Sequence, residues 1–331
     1  MKAFVYEKAH SLADFAIHLA DVEEPALRDQ EVLVEVRVIG VNPGEASIRG
    51  IKSAEPGGRV LLGWEFAGVV VGIGPAVERF RVGDRVFGTG DMTRDGAWAE
   101  RVAVDHRVVA HVPDQLSFTD AASLPIGAVT AWEAVFRDQD RLAAGVDRIH
   151  VLGGAGAVGS LATQFLKART KATVISTGSR SESRDWCKRM GAHLVLDHSA
   201  DIAEQLAKTG IPHVDCVLST AKSADNINWI ANVLRPFGRL CVVDGGPPLD
   251  VHPLVPKAAS LHMEMVFGRI IYDREPEWQA RILATVASLV VEGRVKPIAT
   301  TLLDGLTAET MKAAHELVES GRTVGKVVTA I

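Results

Sequence analysis

The chain has 331 residues, of which 47% are hydrophobic, so its length and composition predict a folded protein of two domains and exclude a disordered one. Its formal net charge of −5, with no cluster of lysines and arginines, gives no electrostatic basis for nucleic-acid binding and favours small-molecule chemistry. No apolar run approaches the roughly 18 residues of a membrane helix, and the first residues lack the apolar segment of a signal peptide, so we expect a cytoplasmic protein.

The first third of the chain is predicted to be mostly β-structure. Residues 31–39 alternate between apolar and polar side chains, and residues 68–71 are apolar, as in strands of a half-buried sheet. No central helix is expected in this region. Ser117 is then predicted to cap a helix, and a further helix is predicted over residues 128–136.

From residue 148 the pattern changes to alternating strands and helices. The candidate strands are residues 148–152, 172–177, 193–196, 214–219, 239–243 and 262–267. Strands separated by helices predict a doubly wound parallel sheet, and therefore an α/β protein. The remaining segments are a helix over 276–292, a strand over 298–303, a helix over 308–320 and a strand over 326–330. They do not follow this alternation, so we expect the tail to return to the first domain.

A glycine-rich turn follows the first of these strands. Gly153 can make the tight turn, Gly156 has no side chain to block a pyrophosphate from the backbone N–H groups, and Gly159 allows the next helix to pack closely on the strand. A purely structural glycine turn is the alternative. The strand before the loop and the helix after it favour a dinucleotide-binding loop.

The segment after the loop is predicted to be an amphipathic helix. Its apolar side chains recur at helical spacing at Val158, Leu161, Ala162, Phe165 and Leu166. Gln164, Lys167 and Arg169 are expected on the solvent side. The phosphates of a nucleotide would lie at the N-terminus of this helix.

Several motifs, taken together and in this order, resemble those of one known family. They are Val-Asn-Pro at 41–43, Gly-Trp-Glu-Phe-Ala-Gly-Val-Val at 63–70, Val-Gly-Asp-Arg-Val at 82–86, Ala-Ala-Ser-Leu-Pro at 121–125, the loop at 153–159 and Gly-Lys-Val-Val at 325–328. This pattern resembles the medium-chain dehydrogenase/reductase superfamily, and within it the quinone oxidoreductase branch and its zinc-type alcohol dehydrogenase-like relatives. The resemblance extends over the whole chain.

The resemblance implies a mostly β GroES-like catalytic domain from residues 1–124 and 269–331. It also implies a Rossmann NADP(H)-binding domain over residues 125–268 with its doubly wound parallel sheet. The implied active site is a cleft between the two domains, with a small-molecule substrate. A homodimer is the usual assembly in such a family, and neither a nucleic acid nor a membrane is expected as a partner.

The zinc ligands of the zinc-containing relatives are missing from this chain. Asn42 stands where the first cysteine is expected, Trp64 stands where the histidine is expected, and residues 124–130 contain neither cysteine nor aspartate. An amide and an indole cannot replace thiolate and imidazole as zinc ligands. The three cysteines, at positions 187, 216 and 241, have no spacing typical of a structural zinc site. We therefore expect no metal.

The residues after the second strand of the alternating region indicate which cofactor binds. The residues at the end of that strand and just after it include Ser176, Ser179 and Arg180. No carboxylate is present there to accept hydrogen bonds from the ribose 2′-hydroxyl of NAD. Because an arginine can form paired hydrogen bonds with a phosphate, we favour NADPH over NADH. The alternative is that Arg180 is an ordinary surface residue. By resemblance His198 and Lys326 are also expected near the cofactor, although either could equally be a surface residue.

The candidate cofactor-binding residues are Thr130, Gly153, Ala155, Gly156, Ala157, Val158, Ser176, Ser179, Arg180, His198, Ser219 and Lys326. The candidate catalytic residues are Asn42, Glu45, Ser47 and Thr130. Without a metal, reduction of a conjugated acceptor is the easier reaction. The negative charge that follows hydride addition to a quinone or an α,β-unsaturated carbonyl is delocalised, and a few hydrogen bonds suffice to stabilise it.

Structural roles remain open for the catalytic candidates. Asn42 can satisfy the backbone of an Asn-Pro turn, Glu45 can pair with Arg49 one helical turn later, and Thr130 can cap a helix. Trp132 is expected in the core. Two other functions also remain open: a zinc-dependent alcohol or aldehyde dehydrogenase, and a non-catalytic NADPH-binding or sensing protein.

Overall fold

The computed structural model describes residues 1–137 and 140–331. The strands are β1 (Lys2–Val5), β2 (His18–Asp21), β3 (Glu31–Val41), β4 (Glu65–Ile73), β5 (Arg85–Thr89), β6 (Arg101–Asp105), β7 (Val109–His111), β8 (Arg148–Leu152), β9 (Thr173–Thr177), β10 (Leu194–Leu196), β11 (Val214–Ser219), β12 (Leu234–Val242), β13 (Ser260–Met263), β14 (Ala299–Asp304) and β15 (Lys326–Ala330). The helices are α1 (Pro43–Arg49), α2 (Phe118–Ala122), α3 (Pro125–Phe136), α4 (Ala157–Arg169), α5 (Ser181–Met190), α6 (Ile202–Lys208), α7 (Ser223–Val233), α8 (Gly268–Ile271), α9 (Glu277–Val291) and α10 (Ala308–Glu319).

The described residues form two compact units. Unit 1 contains residues 1–126, 267–293 and 297–331, and unit 2 contains the described part of 127–266 together with 294–296. The tail of the chain therefore lies in unit 1 with the strands of the first third. No helix in the described ranges is long and apolar enough to cross a membrane.

Unit 1 is built on a mainly antiparallel sheet with β3 at its centre. The strand order is β14-β15-β3-β4-β5-β7, and β6 also pairs with β3. The terminal strand β15 joins through the antiparallel register Val327 to Val41. Eight of the eleven residues of β3 are buried, because its apolar side chains contact the core of the unit on one face and the packed helices on the other. The predicted mostly β-structure is confirmed.

Unit 2 contains a parallel sheet with the order β10-β9-β8-β11-β12-β13. Every neighbouring pair of strands in this sheet is parallel. This order, with the first strand of the unit in the middle, is that of a Rossmann fold. The predicted doubly wound α/β architecture is therefore confirmed, and the carboxyl ends of β8 and β9 lie side by side.

Three local predictions differ from the structure. The region predicted to be mostly β-structure without a central helix contains the short helix α1, and Asn42 and Pro43 at its start are typical helix-initiating residues. The last strand of unit 2 lies at Ser260–Met263 rather than 262–267, since this register pairs it with β12. Gln164, predicted on the solvent side of α4, is buried because its amide bonds both backbone groups of Lys296.

A neutral histidine is buried in the central strand of unit 2. His150 on β8 is completely buried, and neither of its ring nitrogens has a hydrogen-bond partner among the described residues. Burial lowers the pKa of His150 from its usual 6.5 to about 3. The folded state therefore disfavours the protonated ring.

We expect His150→Phe to reduce the acid sensitivity of the fold. Between pH 6.5 and 3 the unfolded chain binds a proton at this position that the folded chain does not. The histidine therefore lowers the stability as the pH falls, by up to about 1.4 kcal/mol per pH unit. Urea unfolding at several pH values checks this. The exposed His18 supplies the control variant His18→Phe. Equal slopes in His150→Phe and the parent chain would contradict the prediction.

Candidate functional site

The glycine-rich loop of unit 2 joins β8 to α4. Gly153 has a φ of +78°, a left-handed conformation that favours glycine, and its carbonyl accepts a hydrogen bond from Gly156 N at 3.1 Å. A Cβ on Gly159 would lie 2.4 Å from the Gly153 oxygen. The helix can therefore approach the loop this closely only with a glycine at position 159.

The space beside Gly156 is open. A Cβ placed there would meet only the Gly153 carbonyl oxygen, at 3.6 Å, and no side chain caps the helix that begins at Ala157. The first-turn N–H groups of a helix, here including those of Ala157 and Val158, have no acceptor within the helix. With Ala155 buried behind the loop, these donors form a cradle that fits a phosphate.

The residues at the end of β9 have different environments. Ser176 is fully buried and its Oγ lies 3.1 Å from Thr163 Oγ1. It packs against the loop, since a Cβ on Gly154 would lie 2.7 Å from Ser176 Cβ. Ser179 and Arg180 are half-buried, so they are the members of the predicted set at this strand end that a ligand could reach.

The other predicted residues of unit 2 are dispersed. Ser219, at the end of β11, is buried with its Oγ 2.7 Å from Ser223 Oγ, and Ser223 in turn bonds Asp244. His198 is exposed after β10, and Thr130 is buried on α3. Trp132 is fully buried, so its predicted core position is confirmed.

Unit 1 contains a buried polar network that we call the Asn42 cluster, formed by Asn42, Glu45, Glu65 and Lys326. The Lys326 ammonium contacts Glu65 Oε2 and donates to Asn42 Oδ1. Asn42 Nδ2 donates to Glu65 Oε2 at 3.1 Å and to Glu45 Oε1 at 3.3 Å. Glu45, Glu65 and Lys326 are buried, and Asn42 is half-buried, so Asn42 is the member nearest to solvent.

Backbone donors fix the two carboxylates of the Asn42 cluster. Glu45 accepts from Asn42 N at 2.7 Å and from Trp64 N at 3.3 Å, and Glu65 accepts from Ile126 N at 2.9 Å. A Cβ on Gly40 would lie 2.4 Å from Glu65 Oε2. The carboxylate of Glu65 thus fills the space left by a glycine on the neighbouring strand.

Glu65 is a member of the Asn42 cluster that is not among the residues predicted from the sequence. Its only signal was its place in the Gly-Trp-Glu motif, which cannot reveal that Lys326 lies opposite. Ser47, by contrast, is exposed and donates to the Pro43 carbonyl at 3.1 Å, so it is not part of the Asn42 cluster. Lys326, predicted beside the cofactor, has its ammonium in this cluster.

The suggested pairing of Glu45 with Arg49 is wrong. Arg49 donates to Glu319 Oε1 at 2.8 Å and lies 2.7 Å from His315 Nδ1, whereas Glu45 is held by the partners described above. Both side chains belong to the same short helix but bond to groups in opposite directions. Arg49 thereby fixes α1 to α10, and Glu45 faces the start of β4.

Burial raises the pKa of Glu45 to about 7. This value is the net result of several effects: burial and, to a lesser extent, the neighbouring Glu65 raise the pKa, whereas Lys326 and the hydrogen bonds from Asn42 and Trp64 lower it. With Glu45 protonated, the charges of Glu65 and Lys326 balance. Loss of that proton near neutral pH leaves the buried cluster with one net negative charge.

The residues at the expected zinc position do not fit a zinc ion. The amide of Asn42 is saturated by two carboxylates and an ammonium, and Trp64 is buried with no partner for its indole Nε1 among the described residues. The Lys326 ammonium already supplies the positive charge. Within the described ranges no group of three histidine, cysteine or acidic side chains could hold a metal.

Comparison with family models places both parts of the chain in known domain families. Residues 28–114 match the alcohol dehydrogenase GroES-like domain, and residues 190–329 match a zinc-binding dehydrogenase domain. The second name is that of the family model, and the thiolate and imidazole ligands expected from the resemblance are absent from this chain. The match of the first segment confirms the GroES-like character of unit 1.

Full-length relatives agree with these matches. The chain is 33% identical over 341 residues to a zinc-type alcohol dehydrogenase-like protein of Staphylococcus aureus, with both chains fully covered. It is 29% identical over 316 residues to a quinone oxidoreductase of Lama guanicoe, covering 93% of this chain and 91% of the relative. The similarity therefore includes both alcohol dehydrogenase-like and quinone oxidoreductase proteins.

Solved structures show the same architecture. A candidate zinc-dependent alcohol dehydrogenase from Rhizobium etli has a TM-score of 0.96 and 38% identity, covering 100% of this chain and 98% of that one. The Escherichia coli quinone oxidoreductase complexed with NADPH has a TM-score of 0.86 and 20% identity, with both chains fully covered. The two domain matches and the full-length relatives show that the chain belongs to the medium-chain dehydrogenase/reductase superfamily and is an oxidoreductase of that family, with quinone oxidoreductases among the proteins it is similar to.

Proposed function

We propose that this protein is an NADPH-dependent, zinc-independent reductase of quinones or α,β-unsaturated carbonyl compounds. The observation that carries this proposal is the Asn42 cluster, in which Asn42, standing where the first cysteine ligand is expected, bonds to a buried ammonium and two carboxylates. The similarity to a quinone oxidoreductase of Lama guanicoe supports the class of acceptor. Other relatives have zinc-type names, but this chain lacks the thiolate and imidazole ligands that a zinc ion would need.

The cradle at Gly156 is the proposed pyrophosphate site. Its open space and first-turn N–H donors fit a diphosphate without requiring a charged side chain. The end of β9 carries arginine instead of the carboxylate that would accept hydrogen bonds from the 2′-hydroxyl of NAD. The Escherichia coli quinone oxidoreductase, which has a similar fold, was solved in complex with NADPH, and this supports NADPH as the cofactor here.

A conjugated acceptor suits the polar groups of unit 1. When bound, NADPH supplies a hydride, and the acceptor oxygen then carries delocalised negative charge. Lys326 provides the positive charge of the Asn42 cluster, and the neutral form of Glu45 keeps the cluster from opposing that negative charge. A protonated Glu45 also retains a proton within the cluster, at a carboxyl whose pKa lies near neutrality.

We expect Gly156→Ala to fold normally but to weaken NADPH binding by at least about tenfold. The added methyl group has room in the protein and enters the space proposed for the pyrophosphate. Fluorescence titration with NADPH and thermal unfolding measure the two effects. Gly159→Ala is the contrasting variant, since its methyl group would collide with the Gly153 carbonyl and should destabilise the fold by about 1–3 kcal/mol. Undiminished NADPH affinity in Gly156→Ala would refute the cradle.

We expect the kcat of the parent enzyme to fall as the pH rises through about 7, because ionised Glu45 adds negative charge to the Asn42 cluster. Glu45→Gln cannot ionise and should lose this inflection. Initial rates of NADPH oxidation between pH 5.5 and 9, measured for the parent enzyme and for folded Glu45→Gln, check this difference. Glu55→Gln, at an exposed carboxylate, is the control and should keep the inflection. An unchanged inflection in Glu45→Gln would assign it to another group.

We expect the purified enzyme to contain far less than one zinc per chain and to retain its activity in 1,10-phenanthroline. The reason is that Asn42 and Trp64 replace thiolate and imidazole. Metal analysis and NADPH oxidation with a panel of quinones, enones and aldehydes test this. Stoichiometric zinc with chelator-sensitive alcohol oxidation would establish the zinc-dependent alternative. NADPH binding without turnover on the whole panel would instead favour the non-catalytic alternative.

A further inference from the structure

Two arginines lie one helical turn apart where β9 leads into α5. Arg180 precedes the helix, and its carbonyl accepts a hydrogen bond from Arg184 N at 2.9 Å. Residues four apart lie on the same side of a helix, so both side chains arise at the same end of the sheet. In a Rossmann fold the 2′-position of the adenosine ribose lies beyond the carboxyl end of this second strand.

Arg184 is anchored along one edge of its guanidinium. Its Nη1 donates to the Ser179 carbonyl at 2.7 Å and lies 3.5 Å from Asp197 Oδ2. Asp197 is itself fixed, since its Oδ1 accepts from Ser199 N at 2.9 Å and from Ser199 Oγ at 2.6 Å. These contacts hold the guanidinium in one place before any ligand binds.

The opposite edge of the Arg184 guanidinium remains available. Its Nε and Nη2 make no hydrogen bond to any of the described residues, and the side chain is 38% exposed. A guanidinium with one edge fixed and one edge free can present paired N–H donors to a phosphate with little loss of side-chain entropy. Arg184 thus has the geometry of a preorganised anion ligand.

Arg180 has a different environment. Its Nη1 lies 3.7 Å from Glu182 Oε2, a carboxylate that is largely exposed and shares the same first helical turn. Binding of a phosphate by Arg180 therefore competes with this neighbouring negative charge. Asp197, in contrast, lies 3.5 Å from Nη1 of Arg184, the nitrogen that also bonds the Ser179 carbonyl, and no hydrogen bond among the described residues joins it to Nε or Nη2.

We propose that Arg184, positioned by Asp197 and the Ser179 carbonyl, is the principal ligand of the 2′-phosphate of NADPH, with Arg180 in a lesser role. This inference rests on the proposed NADPH dependence and assigns its specificity to a residue that the sequence pattern did not indicate. The ligand recognised is an adenosine 2′-phosphate group. Asp197 contributes by fixing the arginine and does not contact the phosphate.

The test compares two probes that differ only in the 2′-phosphate: adenosine 2′,5′-bisphosphate and adenosine 5′-monophosphate. Isothermal titration calorimetry measures both affinities in the parent chain, Arg184→Ala, Arg184→Lys and Arg180→Ala. The matched control is Arg189→Ala, because Arg189 is on the same helix with its guanidinium 5.3 Å from the Trp186 ring centre. Thermal unfolding of each variant confirms that it is folded.

We expect Arg184→Ala to weaken binding of the bisphosphate by at least about tenfold and to leave binding of the monophosphate unchanged, since the charge-assisted contacts removed are to the 2′-phosphate alone. Arg184→Lys should recover part of the loss, because lysine keeps the charge but not the paired donors. Arg180→Ala should have a smaller effect, and Arg189→Ala none.

Two results would overturn the inference, and they are distinguishable. If the parent chain prefers the bisphosphate and Arg184→Ala keeps that preference, Arg184 is not the ligand while the NADPH proposal stands. If the parent chain binds both probes equally, the NADPH dependence itself fails, and the role of Arg184 fails with it.

Discussion

The contact between the Lys326 ammonium and the Glu65 carboxylate is the constraint on which the rest of unit 1's polar site depends. Both side chains are buried, so each would be costly without the other. Their pairing determines the orientation of Asn42, whose oxygen faces the ammonium and whose NH₂ group faces the carboxylates. Asn42, which stands where the first cysteine ligand is expected, thereby has both its oxygen and its NH₂ group bonded within the cluster.

This arrangement joins segments that are far apart in the chain. Glu65 begins β4 and accepts from Ile126 N, Lys326 begins β15, and Asn42 ends the long strand β3. The cluster therefore requires that the C-terminal strand return to pair with β3, as the sheet of unit 1 shows. Loss of that pairing would leave two carboxylates buried without a cation, which explains why a single charged contact has consequences for several elements.

The two units differ in the groups that form their candidate sites. The loop of unit 2 has backbone N–H groups beside open space at Gly156, and its close approach to α4 requires a glycine at position 159. Unit 1 offers charged side chains whose protonation is adjusted by burial, as the pKa of Glu45 shows. Backbone N–H groups remain hydrogen-bond donors at any pH, whereas a buried carboxyl whose pKa lies near 7 changes its charge near neutral pH.

Local patterns along the chain are enough to predict the α/β fold class and the glycine-rich loop, because they depend on periodicity and on glycine's conformational freedom and need no knowledge of distant residues. The positions at which zinc ligands are missing come from the resemblance to a known family. The tertiary structure alone decided that Ser176 packs against the loop, that Gln164 is buried, and that Glu65 and Lys326 meet. Such partnerships join residues up to hundreds of positions apart, so only the folded chain specifies which polar groups are satisfied internally and which remain available to a ligand.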